Sequence, residues 1–105
     1  MQRGDVYIMP FPFTDLKHAK VRPVLVLAAL PGNDCIVCMI TTRLAHSKHA
    51  VPVGPEDVLN GAIRPGSIRV ERLVTCEKTV LFEKIATLKP GALETTLAAV
   101  RSLFA

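Results

Sequence analysis

The chain has 105 residues, of which 50% are hydrophobic and 5% aromatic, and its formal net charge is +4. This length suits one domain, so we predict a single domain over residues 1–105. The longest apolar run, residues 23–31, is too short to cross a bilayer, and the polar, proline-broken start lacks the pattern of a signal peptide, so we expect a cytoplasmic protein without membrane contact.

The positive charge is concentrated in the first half of the chain. Residues 1–54 carry six Lys or Arg against three Asp or Glu, whereas residues 55–105 carry seven against six. All three histidines also lie in the first half. This distribution suits a polyanion such as nucleic acid or an acidic protein segment, and an ordinary solvated surface is the alternative.

The first half of the chain has the pattern of three strands. Residues 5–9 predict a strand that two prolines end, and residues 11–21 predict a charged loop. The β-branched and leucine run at 24–29 predicts a strand buried on both faces. A turn at 31–34 then leads to a returning strand at 35–40.

The second half begins with a polar, basic stretch at 41–50, a loop or a frayed strand. A short strand at 51–53 precedes Pro55 and two acids, which could start one helical turn. Residues 67–74 alternate apolar and polar side chains like a half-buried strand, and a further strand lies within 80–88.

The chain closes with the pattern of an amphipathic helix. Four apolar residues after Pro90-Gly91 recur at helical spacing and predict one buried stripe: Leu93, Leu97, Val100 and Phe104. Turn signals at Asn60-Gly61 and Pro65-Gly66 separate the preceding strands. Short strands with turns between them, followed by one helix, predict a mainly β protein, a small β-barrel with a C-terminal helix.

Cysteine and histidine spacings favour no metal site. Cys35 and Cys38 have a redox or metal spacing, but residues three apart on a strand point to opposite faces. We therefore interpret them as buried, reduced cysteines. His46 and His49 resemble half of a metal site, and no Cys or acidic cluster completes it. We predict neither metal nor cofactor.

Six short segments, in the same order along the chain, resemble one protein family. They are RGDVY at 3–7, PFPFTD at 10–15, RPVLVL at 22–27, ITT at 40–42, and GSIRVE at 66–71 with VTCEK at 74–78. This series resembles the MazF/PemK/Kid toxins of type II toxin-antitoxin systems, and the second and third segments are similar to the PemK-like branch. The resemblance covers nearly the whole chain.

The resemblance implies a small SH3-like β-barrel of the CcdB/Kid/MazF type that forms a homodimer. It also implies metal-independent cleavage of single-stranded RNA, in which the 2′-hydroxyl attacks its own phosphate and leaves a 2′,3′-cyclic phosphate. The implied partners are a cognate antitoxin with an acidic disordered tail and, only together with that antitoxin, operator DNA.

Cleavage of this kind needs a base, an acid and cationic groups for the developing phosphoryl charge. The resemblance places the catalytic arginine at Arg22, although a structural arginine is the alternative, and a phosphate-contacting hydroxyl at Thr41. Arg69 and Glu71 share a strand face because they are two residues apart. By resemblance this pair takes part in cleavage, whereas a surface ion pair is the ordinary interpretation.

The loop before Arg22 is shorter than in many MazF relatives and offers His18 as a second candidate base. We favour Glu71 because it shares a face with Arg69. Further residues are predicted to contact RNA, and Thr42 could exchange roles with Thr41. The RNA-binding set is Asp15, Lys17, Lys20, Thr42 and Arg43.

Two other functions compete with RNA cleavage. One is a non-catalytic inhibitor like CcdB, which acts by binding a protein; CcdB-type chains rely on a tryptophan near the C-terminus, and this chain has no tryptophan. The other is a degenerate relative that binds only its antitoxin and operator DNA.

Overall fold

The computed structural model of the chain describes residues 1–11, 20–43 and 47–105, without the side chains of Phe11 and Lys20. The predictions made for Asp15, Lys17, His18 and the Lys20 side chain, and for His46, therefore lie outside the described residues. No helix in this part of the chain is long and apolar enough to cross a membrane.

Seven strands of the described residues form one antiparallel sheet, and one helix follows them. The order across the sheet is β4-β6-β3-β2-β1-β7-β5, with the strands curled into a half-barrel. The elements are β1 (Asp5–Phe11), β2 (Lys20–Ala29), β3 (Asp34–Thr41), β4 (Val51–Val53), β5 (Val58–Gly61), β6 (Gly66–Glu77), β7 (Glu83–Leu88) and α1 (Pro90–Ser102). The predicted fold class, mainly β with a C-terminal helix, is confirmed.

The structure contains one strand that was not predicted, and it defines the predicted helical turn. The turn signal at Asn60-Gly61 ends an additional strand, β5, which pairs with β7 at the edge of the sheet. The acidic turn after Pro55 forms a single 3₁₀ turn, Pro55–Asp57, in which the Asp57 carboxylate accepts a hydrogen bond of 2.8 Å from the Gly54 amide.

The sheet buries apolar side chains on both of its faces. In β2, Leu25 and Leu27 enter one cluster, whereas Val24 and Val26 enter a second one, and all four are buried. Because successive side chains of a strand alternate between faces, the two clusters lie on opposite sides of the sheet. This explains the unbroken apolar run in β2, as predicted.

The helix packs against the first of these clusters. Its half-buried residues Leu93, Leu97 and Val100 contact that core, as the helical spacing predicted. The inclusion of Phe104 in the stripe was wrong, since it follows the end of the helix and is 77% exposed. Leu103 packs against the core in its place.

The cysteines are free thiols, and Cys35 and Cys38 belong to opposite clusters as predicted. Strand pairing places Cys35 directly opposite Cys76, with their sulfur atoms 3.7 Å apart. Burial, followed by the charge of Glu71, raises the pKa of Cys38 to about 12. This thiol is therefore protonated and unreactive at neutral pH.

The first family-like segment has a structural role around a buried carboxylate. Asp5 is 3% exposed and accepts hydrogen bonds from the Gln2 amide at 2.9 Å and the Thr87 hydroxyl at 3.2 Å. The Lys84 ammonium lies 3.3 Å from the same carboxylate. Since these partners include β7, Asp5 fastens the start of β1 to its neighbour strand.

Candidate active site

Arg22 occupies one wall of an open pocket at the end of the sheet. It lies near the start of β2, opposite Met9 of β1, and is half-buried. The following residue, Pro23, restricts the backbone of Arg22 to an extended conformation. The pocket has a volume of about 390 Å³, and its lining residues are Ile8, Arg22, Pro23, Ile40, Thr42, Ala62, Ile63, Arg64 and Ile85.

Arg69 and Glu71 of β6 form a second polar group together with Ser47, which lies before β4 in the chain. The Nε of Arg69 donates a hydrogen bond to Oε1 of Glu71, and this contact is also a salt bridge because both groups are charged. The Ser47 hydroxyl donates to the other carboxylate oxygen at 3.1 Å, and accepts a hydrogen bond of 3.2 Å from the His49 amide. The predicted proximity of Arg69 and Glu71 is therefore present, and Ser47 fixes the carboxylate from the other side.

The surroundings of Glu71 act on its pKa in opposite directions. Burial raises this pKa, but hydrogen bonds from Arg69, from its own backbone and from Ser47, together with the Arg69 charge, lower it. The net result is a pKa below the ordinary value of 4.5. Glu71 is thus a carboxylate at neutral pH, able to accept a proton but only weakly basic.

Two threonines at the end of β3 have different environments. Thr41 is 8% exposed, and its hydroxyl oxygen accepts a hydrogen bond of 3.2 Å from the Arg43 amide. Thr42 is exposed and lines the pocket that contains Arg22. Arg43 is also exposed. The hydroxyl of Thr41 therefore organises the backbone after β3, while Thr42 faces the pocket.

Strand register relates the two groups to each other. Arg69 is opposite Met39 on β3, Met39 is opposite Val24 on β2, and Arg22 precedes Val24 by two residues. Two strand spacings and two residue rises place the Cα atoms of Arg22 and Arg69 roughly 12 Å apart. The two arginines are therefore separated by one intervening strand, β3.

The chain matches the family model described as PemK-like, MazF-like toxin of type II toxin-antitoxin system over residues 2–104. The chain belongs to this toxin family. The predicted MazF/PemK resemblance is thereby confirmed. No curated protein sequence matches the toxin.

Solved structures similar to the toxin share its fold. A mycobacterial endoribonuclease in complex with its cognate antitoxin is 18% identical, with a TM-score of 0.79 over 99% of this chain and 94% of that chain. The Mycobacterium tuberculosis toxin MazF-mt6 is 22% identical, with a TM-score of 0.73 over 95% of each chain. The MazE-MazF structure from Deinococcus radiodurans is 16% identical, with a TM-score of 0.74 over 99% and 94%.

Sequence reasoning missed two residues of the toxin's site. Ser47 is 24 residues from Glu71 along the chain, so nothing in the local pattern marks their contact. Arg64 lines the same pocket as Arg22. The turn signal that follows Arg64 predicts only a backbone turn and gives no role to its side chain. Within the described ranges, no three His, Cys, Asp or Glu side chains group closely enough to hold a metal ion.

Proposed function

We propose that the toxin is an endoribonuclease that cleaves single-stranded RNA, including mRNA, without a metal ion and thereby inhibits growth. The observation that carries this proposal is the position of Arg22 at a pocket that a second arginine, Arg64, also lines, with the Arg69–Glu71 pair two strands away in the sheet. Arg22 and Arg69 supply two cations for a phosphodiester, and Glu71 supplies one ionised carboxylate for proton transfer. Solved structures of mycobacterial endoribonucleases with a similar fold support the same activity.

The proposed reaction is a phosphoryl transfer in which the attacking 2′-oxygen loses a proton and the leaving 5′-oxygen gains one. The ribose 2′-oxygen gives up its proton to a base, bonds to the adjacent phosphorus and displaces the 5′-oxygen of the next nucleotide. That leaving oxygen receives a proton from an acid, and the products end in a 2′,3′-cyclic phosphate and a 5′-hydroxyl. Arg22 would bind the phosphate oxygens, whose negative charge increases during attack.

The remaining predicted site residues take roles consistent with their surroundings. Glu71 is the favoured base, and Arg69 orients it. Thr41, whose hydroxyl accepts a hydrogen bond from the Arg43 amide, stays a candidate phosphate contact, and the exposed Thr42 and Arg43 stay candidate RNA contacts. His18 stays a rival base. Asp15, Lys17 and Lys20 stay candidate RNA contacts.

The partners that we propose follow from the family. A toxin of a type II system has a cognate antitoxin, and similar folds have been solved as MazE-MazF complexes. We propose that an acidic disordered antitoxin tail covers the basic site, that the toxin is a homodimer in the cytoplasm, and that operator DNA binds only the toxin-antitoxin complex. No cofactor takes part in this proposal.

The direct test is incubation of the purified toxin with a long RNA, and with DNA of the same sequence, in excess EDTA. We expect the RNA to be cut and the DNA to stay intact, because deoxyribose lacks the attacking hydroxyl. Arg22→Ala should remove cleavage, and Arg101→Ala, which removes a charge from an exposed helical ion pair, should not. A toxin that binds antitoxin but leaves RNA intact would instead be a non-catalytic relative.

A further inference from the structure

The pocket beside Arg22 combines apolar walls with cationic groups. Ile8, Ile63 and Ile85 contribute to its walls, and Arg22 and Arg64 both line it. Among the described residues that line it, none carries a carboxylate. The volume of about 390 Å³ lies within the range of roughly 300–1,000 Å³ that is usual for small-molecule sites. A suitable ligand therefore has an apolar body and hydrogen-bond acceptors or negative charge.

The segment that carries Arg64 is anchored at its start against β7. Gly61 has a φ of +75°, and a Cβ added there would lie 2.0 Å from the carbonyl oxygen of Ile85. The amide of Ala62 donates a hydrogen bond of 3.1 Å to that same oxygen. Ile63 is then buried in the core. The close contact at Gly61 and the hydrogen bond at Ala62 therefore hold the backbone before Arg64.

The other end of the segment is anchored against β3. A Cβ added at Gly66 would lie 2.0 Å from the carbonyl oxygen of Thr41, so the two backbones are in close contact. Pro65 between Arg64 and Gly66 further restricts the backbone. Arg64 itself is exposed, and within the described part of the chain its guanidinium forms no hydrogen bond or ion pair. A fixed backbone thus carries an exposed arginine at the pocket.

We propose that this pocket receives one nucleotide of single-stranded RNA, next to the phosphodiester that Arg22 contacts, and that Arg64 selects its base. The base would lie against the isoleucine side chains, and the planar fork of Arg64 would donate hydrogen bonds to acceptors on the base edge. This inference rests on the proposed function, and it adds a specificity-determining residue. An apolar wall suits a base better than it suits a second phosphate.

The test measures base preference separately from cleavage. A randomised hexamer library of 2′-fluoro RNA lacks the attacking hydroxyl, so the toxin can bind it without cutting it. Bound sequences are compared for the unsubstituted toxin, Arg64→Ala, Arg64→Lys and the control Arg101→Ala. We expect the toxin to enrich one base at one position, and Arg64→Ala to reduce that enrichment roughly tenfold. Arg101→Ala should keep it.

Arg64→Lys separates charge from geometry. Lysine retains the positive charge but lacks the planar fork, so total binding should recover while the base preference does not. Thermal unfolding of each variant by circular dichroism checks that the fold is intact. Uniformly weaker binding of Arg64→Ala with an unchanged base profile would overturn the proposal, because that result describes a phosphate contact. A toxin without any base preference, or a pocket that binds only an acidic peptide, would overturn it as well.

Cleavage of unmodified RNA by the same variants distinguishes this inference from the proposed function. If the toxin shows an Arg64-dependent base preference but cuts no RNA, the proposed function fails and the base pocket stands. If it cuts RNA and Arg64→Ala leaves the binding and cleavage profiles unchanged, the base pocket fails and the proposed function stands.

Discussion

Arg22 lines an open pocket, and in the proposed site its side chain offers more than charge. A guanidinium presents donors in a fixed plane that matches two phosphate oxygens, whereas an ammonium is a point charge. We therefore predict that Arg22→Ala lowers the cleavage rate by about a hundredfold or more, and that Arg22→Lys restores little of it. Initial rates on one short RNA measure both effects.

Arg101→Ala is the matched control because it removes one exposed arginine on the helix. Its rate should equal that of the unsubstituted toxin. If Arg22→Ala is folded and cuts RNA at a near-normal rate, Arg22 has a structural role and the site lies elsewhere.

Proton transfer is a second property of individual residues, and the pH dependence of the rate separates Glu71 from His18. The pKa of Glu71 is lowered from the ordinary carboxylate value, so this group is ionised throughout the neutral range. If Glu71 is the base, the rate falls only at acidic pH, as the carboxylate becomes protonated, and Glu71→Gln is the damaging change. A His18 base predicts a rate that rises through about pH 6.5 and a limb that His18→Ala removes.

Ser47→Ala provides an internal check on this assignment. The Ser47 hydroxyl donates a hydrogen bond that lowers the pKa of Glu71, so its removal should move a Glu71-dependent limb to higher pH. The same substitution should leave a limb that belongs to His18 in place. If neither Glu71→Gln nor His18→Ala changes the rate or the profile, neither residue is the base, and Asp15 is the next to test.

At the scale of elements, the connection between β5 and β6 depends on close backbone contact. Gly61 combines a φ of +75° with a Cβ position 2.0 Å from a backbone oxygen of β7. We predict that Gly61→Ala lowers the free energy of unfolding by about 3 kcal/mol or more, since strain and a backbone clash add together. Urea unfolding measures the loss.

Gly32 offers a matched control in the turn between β2 and β3. It has the same φ of +75°, but nothing lies within 4 Å of an added Cβ. Gly32→Ala should therefore cost about 1–2 kcal/mol, the strain of the left-handed conformation alone. An equal loss at the two glycines would contradict the assigned role of the Gly61 contact.

Some elements could be predicted from the sequence and others could not, for physical reasons. The apolar run of β2 and the spacing of Leu93, Leu97 and Val100 are local patterns that burial enforces. The strand β5 has four residues, mostly exposed, and its end at Gly61 has the composition of a turn. Its pairing with β7 comes from tertiary contact, which a short window of sequence does not contain.

In the candidate site, contacts between residues that are close in sequence could be predicted, whereas contacts between distant segments could not. Arg69 and Glu71 are neighbours on one strand, so their shared face could be predicted from spacing. The Ser47 contact and the Arg64 side of the pocket join segments that are distant in sequence. The roles of Arg22 and Thr41 were predicted from family resemblance. In the structure, Thr42 lines the pocket, whereas Thr41 is buried.

At the scale of the whole molecule, several large apolar side chains are exposed on the single chain. Leu59 is 61% exposed, Phe82 is 63% exposed, and Phe104 is 77% exposed. Exposed apolar surface of this kind commonly marks a protein interface. We predict a homodimer at micromolar concentration, with a mass by light scattering near twice the chain mass of 11.4 kDa. A monomeric mass across that range would contradict a dimeric toxin.

Cleavage of one defined RNA bond is the most direct test of the proposed mechanism. The toxin is incubated in EDTA with a short RNA that contains its cleavage sequence, and with the same RNA carrying a single 2′-deoxy sugar at the cut nucleotide. Mass spectrometry then identifies the product ends. We predict that the natural RNA gives a 2′,3′-cyclic phosphate and a 5′-hydroxyl, while the substituted RNA stays intact. Cleavage of the 2′-deoxy RNA, or cleavage that requires added Mg²⁺, would contradict the mechanism.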